Sequence, residues 1–231
     1  MTQVSNPDRP ENQVPKTQLP ETQLLETQLL EQTSLELSVA ARTLLSVIRR
    51  RRSFGLDKID PQQAVPRALI EQVLEAARWA PSHGQTEPWR FAVFTGESRA
   101  QLGASFAEAY RQFTPPAGFQ ALNSEAQRDK VWKAPVWISL GVLPTPKPTV
   151  SELEEIMAVA CAAQNMMLMA SSLGLACKWS SGLVNTHPSV ARAVSRTQPL
   201  TLLGFLYLGW PKSSWPNGKR AALETKVSWF E

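Results

Sequence analysis

The sequence has few of the residues that build covalent or metal-stabilised folds. Its 231 residues include two cysteines, Cys161 and Cys177, and two histidines, His83 and His187. That supply excludes a disulfide framework, a four-ligand zinc site and an iron–sulfur cluster. A chain of this length buries enough apolar surface to fold without such supports. We therefore expect one ordinary domain with, at most, an appendage, and no metal site.

Several catalytic and nucleotide-binding signatures are also missing. No two of the eleven glycines form G-x-G, and neither a Walker loop nor G-x-S-x-G occurs, which excludes a Rossmann fingerprint and a nucleophile elbow. His187 precedes a proline at a predicted helix start, a structural position. Cys161 falls inside an apolar helical stretch, where a nucleophilic thiolate is disfavoured. The remaining cations, hydroxyls and aromatics suit an enzyme whose chemistry belongs to a cofactor.

Export and membrane signals are not visible. The first residues are polar, and the longest apolar run, residues 156–177, is interrupted by Gln164, Asn165, Ser171 and Ser172. That run predicts a buried helix and no membrane span. With two cysteines and no leader, the expected compartment is the cytoplasm.

The first 37 residues differ from the rest in charge and in pattern. Residues 1–38 carry a net charge of −4, so the remainder carries +8, which favours an anionic ligand, a nucleic acid or an acidic membrane surface without choosing among them. Three tandem pentapeptides occupy residues 17–31, and a period of five matches neither helix nor strand. We predict a low-complexity, disordered tail over residues 1–37, with a partner-binding segment as the alternative, and one domain over residues 38–231.

Hydrophobic spacing over residues 38–231 predicts helices that alternate with strongly apolar strands. The predicted helices are 38–51, 66–77, 97–113, 122–133, 151–173 and one beginning at 186–188, and the predicted strands are 89–94, 136–142, 176–180 and 200–208. Gly174 is expected to end the long helix in a left-handed conformation. Strands this apolar need cover on both faces, so a layered α/β sandwich is expected. The spacing does not determine whether the strands pair in parallel.

Four stretches could carry chemistry, and each also has a purely structural interpretation. Arg49–Ser53 could bind a phosphate through its guanidiniums, or its bases could remain solvated at a helix end. The loop 80–89 is rigid and rich in polar groups, which suits a planar heterocycle, although His83 could be a plain surface histidine. Lys178 beside Trp179 could place a cation near a developing anion, or extend past apolar groups into solvent. Lys219-Arg220 is a phosphate clamp or a solvated pair.

Taken together, these stretches resemble the nitroreductase family of FMN-dependent oxidoreductases, in its compact bacterial branch of putative NAD(P)H nitroreductases. The motifs run in order: I-R-R-R-R-S, A-A-R-W-A-P-S-H-G-Q-T-E-P-W-R-F, A-P-V-W-I-S-L and G-F-L-Y-L-G-W-P before a K-R tail. The resemblance covers residues 40–231. It implies a three-layer sandwich around a mixed, mostly antiparallel sheet. It also implies an obligate homodimer with two FMN sites at its interface, and a C-terminal segment that crosses to the partner.

The resemblance also implies which residues bind FMN. Arg51, Arg52 and Ser53 would contact the phosphate, the ribityl chain and the pyrimidine edge. Pro81, Ser82, His83 and Gln85 form the loop that usually reaches the flavin from the partner subunit. Lys178, Trp179, Ser180 and Ser181 would run along the isoalloxazine near N5, and Arg220, with Lys219 beside it, would grip the phosphate. No protein side chain is expected to be catalytic, because flavin N5 carries the chemistry.

The sequence departs from the family pattern at three places. The family often has a basic residue near flavin N1 and O2, where this chain has Gly55; Lys178 or Arg52 is our hypothesis for that charge. The usual Asn and Gln of the loop are Gln85 and Glu87, which puts hydrogen bonding to the flavin edge in doubt. Where the compact branch frequently has W-R-S, this chain has Trp179-Ser180-Ser181. Serine thus replaces the arginine, which puts a phosphate or nicotinamide contact in doubt.

The resemblance implies a ping-pong reaction that takes hydride from NADH or NADPH and passes it to a nitroaromatic, a quinone or a similar small electrophile. A flavin-dependent dehalogenase, desaturase or sensor of the same fold is the first alternative. A nucleic-acid-binding module using Arg49–Arg52 is the second, but the chain has no recognised binding motif. We therefore expect neither a nucleic-acid nor a membrane partner.

Overall fold

The computed structural model describes residues 37–147, 149–195 and 200–230. By its internal contacts the chain divides into Met1–Arg42 and Thr43–Glu231. In the first unit, the Ser38 hydroxyl accepts a hydrogen bond from the Ala41 N–H at 3.2 Å, as expected where helix α1 (Val39–Arg50) begins. The pentapeptide repeats of the predicted tail lie outside the described residues, and the domain boundary at residues 37/38 stays a prediction.

The second unit is built on a sheet in which β6, the last strand in sequence among the described residues, is central. Strand β6 pairs antiparallel with β4 on one side and with β1 and β5 on the other, and β4 pairs antiparallel with β2 and β3. Ser53 adds one parallel bridge to Cys177 in β5, so the mixed, mostly antiparallel sheet is confirmed. The strands are β1 (Ile59–Asp60), β2 (Trp89–Arg90), β3 (Val93–Thr95), β4 (Val136–Val142), β5 (Ala176–Ser180) and β6 (Thr201–Pro211).

Helices cover both faces of this sheet. On each face a separate apolar core lies between the sheet and its helices. The remaining helices are α2 (Arg67–Arg78), α3 (Ser98–Phe113), α4 (Ala121–Asp129), α5 (Glu152–Ser172), α6 (Leu183–Thr186) and α7 (Pro188–Val194). Alternate residues of β4 point to opposite faces: Ile138 packs with residues of α2 and α5, whereas Trp137 packs with residues of α3 and α7. The three-layer sandwich predicted from the sequence is confirmed.

Some predicted elements are interrupted by local hydrogen bonds. The single strand expected over residues 89–94 is two strands, because Ser139 binds the main chain of Ala92 between them: its hydroxyl accepts from the Ala92 N–H at 2.8 Å, and its N–H donates to the Ala92 carbonyl at 2.9 Å. The helix expected over residues 122–133 tightens into a 3₁₀ turn, Lys130–Lys133. Helix α7 begins at Pro188, with His187 as its cap.

The two cysteines lie in opposite environments: Cys161 is in helix α5, as predicted, but it is exposed and does not have the apolar surroundings that the sequence suggested. Leu153, Met157 and Cys161 follow one another at intervals of four along α5, and all three are exposed. Such residues share one face of a helix, and here that face points away from the core. Cys177 is buried, and burial raises the pKa of its thiol to about 12, while the charge of nearby Arg51 acts in the opposite direction. Among the described helices, none is long and apolar enough to cross a bilayer.

Candidate functional site

The Arg51–Ser53 segment lies beside β5 at one edge of the sheet. Ser53 bridges to Cys177, and the Phe54 N–H donates to the Cys177 carbonyl at 3.0 Å. Ser53 is exposed and Arg51 is half-buried. Among the described residues, the Arg51 guanidinium has no hydrogen-bond or ion-pair partner. A half-buried guanidinium without a partner in the described part of the chain, two residues from an exposed serine, can bind an anion.

Arg52 differs from Arg51 because its guanidinium binds main-chain carbonyls of the same turn. Its Nη1 donates to the carbonyls of Arg49 at 2.5 Å and Arg51 at 2.7 Å. Its Nε is buried and has no partner among the described residues. Gly218 lies directly against the guanidinium, so a methyl group at position 218 would overlap it. Arg52 therefore shapes the turn after α1, and its buried Nε is left without an acceptor among the described residues.

The C-terminal segment runs back across the same edge of the sheet. The Trp215 indole N–H donates to the Arg50 carbonyl at 2.6 Å, and the Arg50 guanidinium lies 4.9 Å from the centre of the Trp215 ring. With Gly218 against Arg52, the exposed side chains of Lys219 and Arg220 follow immediately. We call this region the cationic edge; its members are Arg51, Arg52, Ser53, Lys178, Lys219 and Arg220.

Lys178 contributes an exposed ammonium to the cationic edge. It lies in the middle of β5, opposite Tyr207. Within the described part of the chain, Lys178 forms no ion pair or hydrogen bond through its side chain. The neighbouring Trp179 packs on the core, and its indole N–H donates to the Leu203 carbonyl at 2.9 Å, so that side chain is engaged in packing.

A buried polar network that the sequence did not reveal holds the end of β5. The Asn185 amide donates to the Ser180 hydroxyl at 2.7 Å and to the Ser180 carbonyl at 3.2 Å. Its oxygen accepts from the Lys130 ammonium at 2.7 Å, which also donates to Gln127 at 2.7 Å and lies 4.1 Å from the centre of the Phe106 ring. Ser180 is thereby fixed in place, whereas Ser181 is exposed. No periodic pattern in the sequence indicates contacts of this range.

Lys130 should make stability depend on alkaline pH. Burial lowers the pKa of its ammonium from 10.5 to about 8. Between these values the unfolded chain binds more protons than the folded one, so the free energy of unfolding rises with pH. We expect the wild type to gain up to about 1.4 kcal/mol per pH unit relative to Lys130→Met in that window. Urea unfolding of both proteins across the window measures this gain, and a constant difference would contradict it.

The loop 81–88 lies at the opposite edge of the sheet, where it leads into β2. Gln85 and Glu87 have left-handed φ values of +54° and +46°, and the Ser82 hydroxyl accepts from the Glu87 N–H at 3.3 Å. The Lys147 ammonium donates to the Gly84 carbonyl at 2.9 Å, and His83 Nδ1 lies 2.8 Å from Glu154 Oε1. Pro81, His83 and Gln85 are exposed. The loop is thus held against the start of α5.

One chain does not bring this loop to the cationic edge. Counted across the sheet, four strand spacings separate Ser53 from β2, a distance of about 19 Å. Three of the four sequence stretches therefore meet in one chain, and the fourth stands apart from them.

The fold and the site define a class of protein: a three-layer α/β sandwich with a cationic sheet edge built from three distant stretches of chain. The profile of the nitroreductase family matches residues 48–210. The chain therefore belongs to the nitroreductase family.

Individual relatives agree with this assignment. The "Putative NAD(P)H nitroreductase YdjA" of Escherichia coli K12 is 29% identical over 143 residues, which is 62% of this chain and 76% of the relative. A nitroreductase-like family protein from Bacillus cereus superposes with a TM-score of 0.70 at 26% identity, over 86% of this chain and 99% of the other. The FMN-dependent nitroreductase NfnB of Mycobacterium smegmatis, solved in complex with NADPH, superposes with a TM-score of 0.63 at 20% identity. The match covers 83% of this chain and 100% of the NfnB chain.

Proposed function

We propose that the protein is an FMN-dependent oxidoreductase that oxidises NAD(P)H and reduces a nitroaromatic, a quinone or a similar small electrophile, with the two substrates using one site in turn. The observation that carries this proposal is the cationic edge, where residues 51–53, β5 and residues 218–220 meet. The family, the name of the E. coli relative and the NADPH complex of the M. smegmatis protein support it. The cytoplasmic location stays a prediction.

The donor set of the cationic edge fits a flavin mononucleotide. The FMN phosphate is a dianion that guanidiniums recognise in bidentate fashion. Arg51, whose guanidinium has no partner within residues 37–147, 149–195 and 200–230, and the exposed Arg220 would supply that contact. The buried Arg52 Nε has no partner among the described residues, and Ser53 offers a hydroxyl donor. Lys178, Ser180 and Ser181 would lie along the ring system. When bound, FMN supplies hydride acceptance and donation at its N5 atom.

We further propose that the active form is a homodimer. Apolar side chains are exposed on α1, on α5 and in the C-terminal segment: Leu44, Ile48, Leu153, Met157, Trp229 and Phe230. Exposed apolar surface on several elements is typical of protein interfaces. A second subunit would also bring the loop 81–88 to the cationic edge, which one chain does not do. Sedimentation of the full-length protein should give twice the chain mass of 25.6 kDa.

The absorbance spectrum of the purified protein, followed by anaerobic mixing with NADH and with NADPH, tests the proposed function. We expect a flavin spectrum with one FMN per chain, and bleaching by at least one nicotinamide nucleotide. A protein that stays colourless after FMN addition, and that shifts DNA in a salt-dependent way, would be a nucleic-acid-binding module instead. A bound flavin that neither nucleotide bleaches would indicate a flavoprotein of the same fold that is not an NAD(P)H-dependent reductase.

Lys178 is the better candidate for the positive charge that Gly55 does not supply. Arg52 donates to two carbonyls, whereas the Lys178 ammonium is exposed and unpaired within the described part of the chain. Reduced flavin is anionic, and a nearby cation stabilises it. We expect Lys178→Met to lower the midpoint potential of bound FMN by about 30 mV, which corresponds to a loss of about 1.4 kcal/mol.

Spectroelectrochemical titration of wild type, Lys178→Met and Lys212→Met measures this shift. Lys212 is an exposed lysine outside the cationic edge as defined, so its variant serves as the matched control. An unchanged potential in Lys178→Met would remove Lys178 from this role.

A further inference from the structure

The two carboxylate oxygens of Glu154 have different partners. Oε2 accepts from the N–H and from the hydroxyl of Ser151, each at 2.8 Å, and closes the capping box at the start of α5. Oε1 lies 2.8 Å from His83 Nδ1. These contacts lower the pKa of Glu154 to about 2, chiefly through the hydrogen bonds from Ser151, with a smaller contribution from His83. The carboxylate is therefore charged at neutral pH and can only accept hydrogen bonds.

An acceptor at 2.8 Å fixes where His83 carries its proton. Nδ1 must donate to Glu154 Oε1, because two acceptors facing each other would repel. In the neutral ring Nε2 is then left as a lone-pair acceptor. The His83 side chain is 54% exposed, so Nε2 is open to a ligand. Carboxylates that orient histidines in this way are a recurring device for presenting the second ring nitrogen.

We propose that Glu154 is a positioning residue that holds His83 in its Nδ1–H tautomer, so that Nε2 accepts a hydrogen bond from an N–H group of a bound heterocycle. This inference rests on the proposed function, in which the loop 81–88 contacts the flavin. Two further contacts hold the loop in place for that role: Lys147 on the Gly84 carbonyl and Glu87 N–H on Ser82. Glu154 itself does not have to touch the ligand.

The second histidine of the chain provides an internal reference. His187 Nδ1 accepts from the Ser189 N–H at 3.2 Å, so in its neutral form the ring must carry the proton on Nε2. The two imidazoles are therefore expected to be opposite tautomers in one spectrum. Long-range ¹H–¹⁵N correlation of the full-length apoprotein, in a buffer alkaline enough to keep imidazole neutral, distinguishes them, and His187→Gln assigns the signals.

Glu154→Gln makes a sharp test because Gln also closes a capping box. In the variant, the two Ser151 donors that now bind Oε2 can bind only the amide oxygen of Gln. The amide N–H group then faces His83 Nδ1. We expect His83 to switch to the Nε2–H tautomer while His187 is unchanged. Ser151→Ala is the matched control: it removes the capping hydroxyl but leaves the contact between Glu154 and His83, so the wild-type tautomer should persist.

FMN affinity gives the second readout. We expect Glu154→Gln to weaken FMN binding about tenfold, and to have no further effect when His83 is already alanine. An Nε2–H tautomer of His83 in the wild type, or an unchanged tautomer in Glu154→Gln, would overturn the assignment of Glu154. Equal FMN affinity despite a switched tautomer would overturn its role toward the ligand. Failure of the wild type to bind FMN would overturn the proposed function, whereas the apoprotein spectrum judges the Glu154–His83 contact independently.

Discussion

Replacing Gly204 with alanine should lower the free energy of unfolding by about 3 kcal/mol or more. Gly204 lies in β6 with φ of +118°, a conformation that L side chains rarely adopt, and an added Cβ would lie 2.9 Å from Ser181 Cα and 3.0 Å from the Ser180 carbonyl carbon. These neighbours are main-chain atoms, so either β6 or the end of β5 has to move. Thermal and urea unfolding measure the loss, and we expect the melting temperature to fall by about 10 °C.

Two other glycines allow the steric cost of an added Cβ to be separated from the cost of a left-handed backbone conformation. Gly174 has a positive φ of +77° but nothing within 4 Å of an added Cβ, and Gly182 has neither a positive φ nor a near neighbour. Gly174→Ala should therefore cost about 1 kcal/mol, and Gly182→Ala should be close to neutral. If Gly204→Ala were no worse than Gly174→Ala, close packing of β6 against Ser180 and Ser181 would not be a constraint on the fold.

Replacing Arg51 with methionine should weaken FMN binding about 100-fold, because a guanidinium in a bidentate contact with phosphate contributes more than a neutral hydrogen bond. Arg51 is half-buried next to Ser53, and among the described residues its guanidinium has no other partner. Fluorescence titration of FMN into apoprotein measures the affinity. Arg51→Lys should show an intermediate loss, since the ammonium keeps the charge but not the planar fork.

Arg49→Met is the control for general charge attraction. Arg49 is exposed and belongs to the same run of four arginines, so its replacement removes the same charge. Its variant should bind FMN nearly as the wild type does. Equal losses in the two variants, both disappearing at high salt, would show diffuse attraction to a basic surface and would contradict a specific phosphate contact at Arg51.

Long, strongly patterned segments of the fold could be predicted from the sequence. The helix expected over residues 151–173 is observed as α5, and the strand expected over residues 136–142 is β4 with the same bounds. Hydrophobic spacing determines such elements because each buries a continuous face. The break in the strand expected over residues 89–94 could not be predicted, since it depends on Ser139, which is 47 residues distant from Ala92. The exposure of Cys161 depends likewise on which face of α5 packs.

The candidate site likewise contains residues that could be predicted from the sequence and residues that could not. Its predicted residues were recognisable because they fall in short motifs with family spacing, and the structure places residues 51–53, β5 and residues 218–220 together. The residues that hold them were not recognisable. Asn185 meets Lys130 across 55 positions and Glu154 meets His83 across 71, and neither pair has a local signal. The proposed ligand-contacting residues fall in short motifs, whereas the residues that support them are brought together only by the tertiary fold.

The position of β6 has a consequence for how the protein is made. Within the described part of the chain this strand is the last in sequence, and it pairs with β1, β4 and β5. A nascent chain that stops before residue 201 has unpaired edges on β4 and β5, which are aggregation-prone in an incomplete sheet. The sheet can therefore be completed only after β6 has been translated, and the cationic edge only after residues 218–220 have left the ribosome. Termination upstream of β6 would leave an incomplete sheet, which is a substrate for chaperones and proteases.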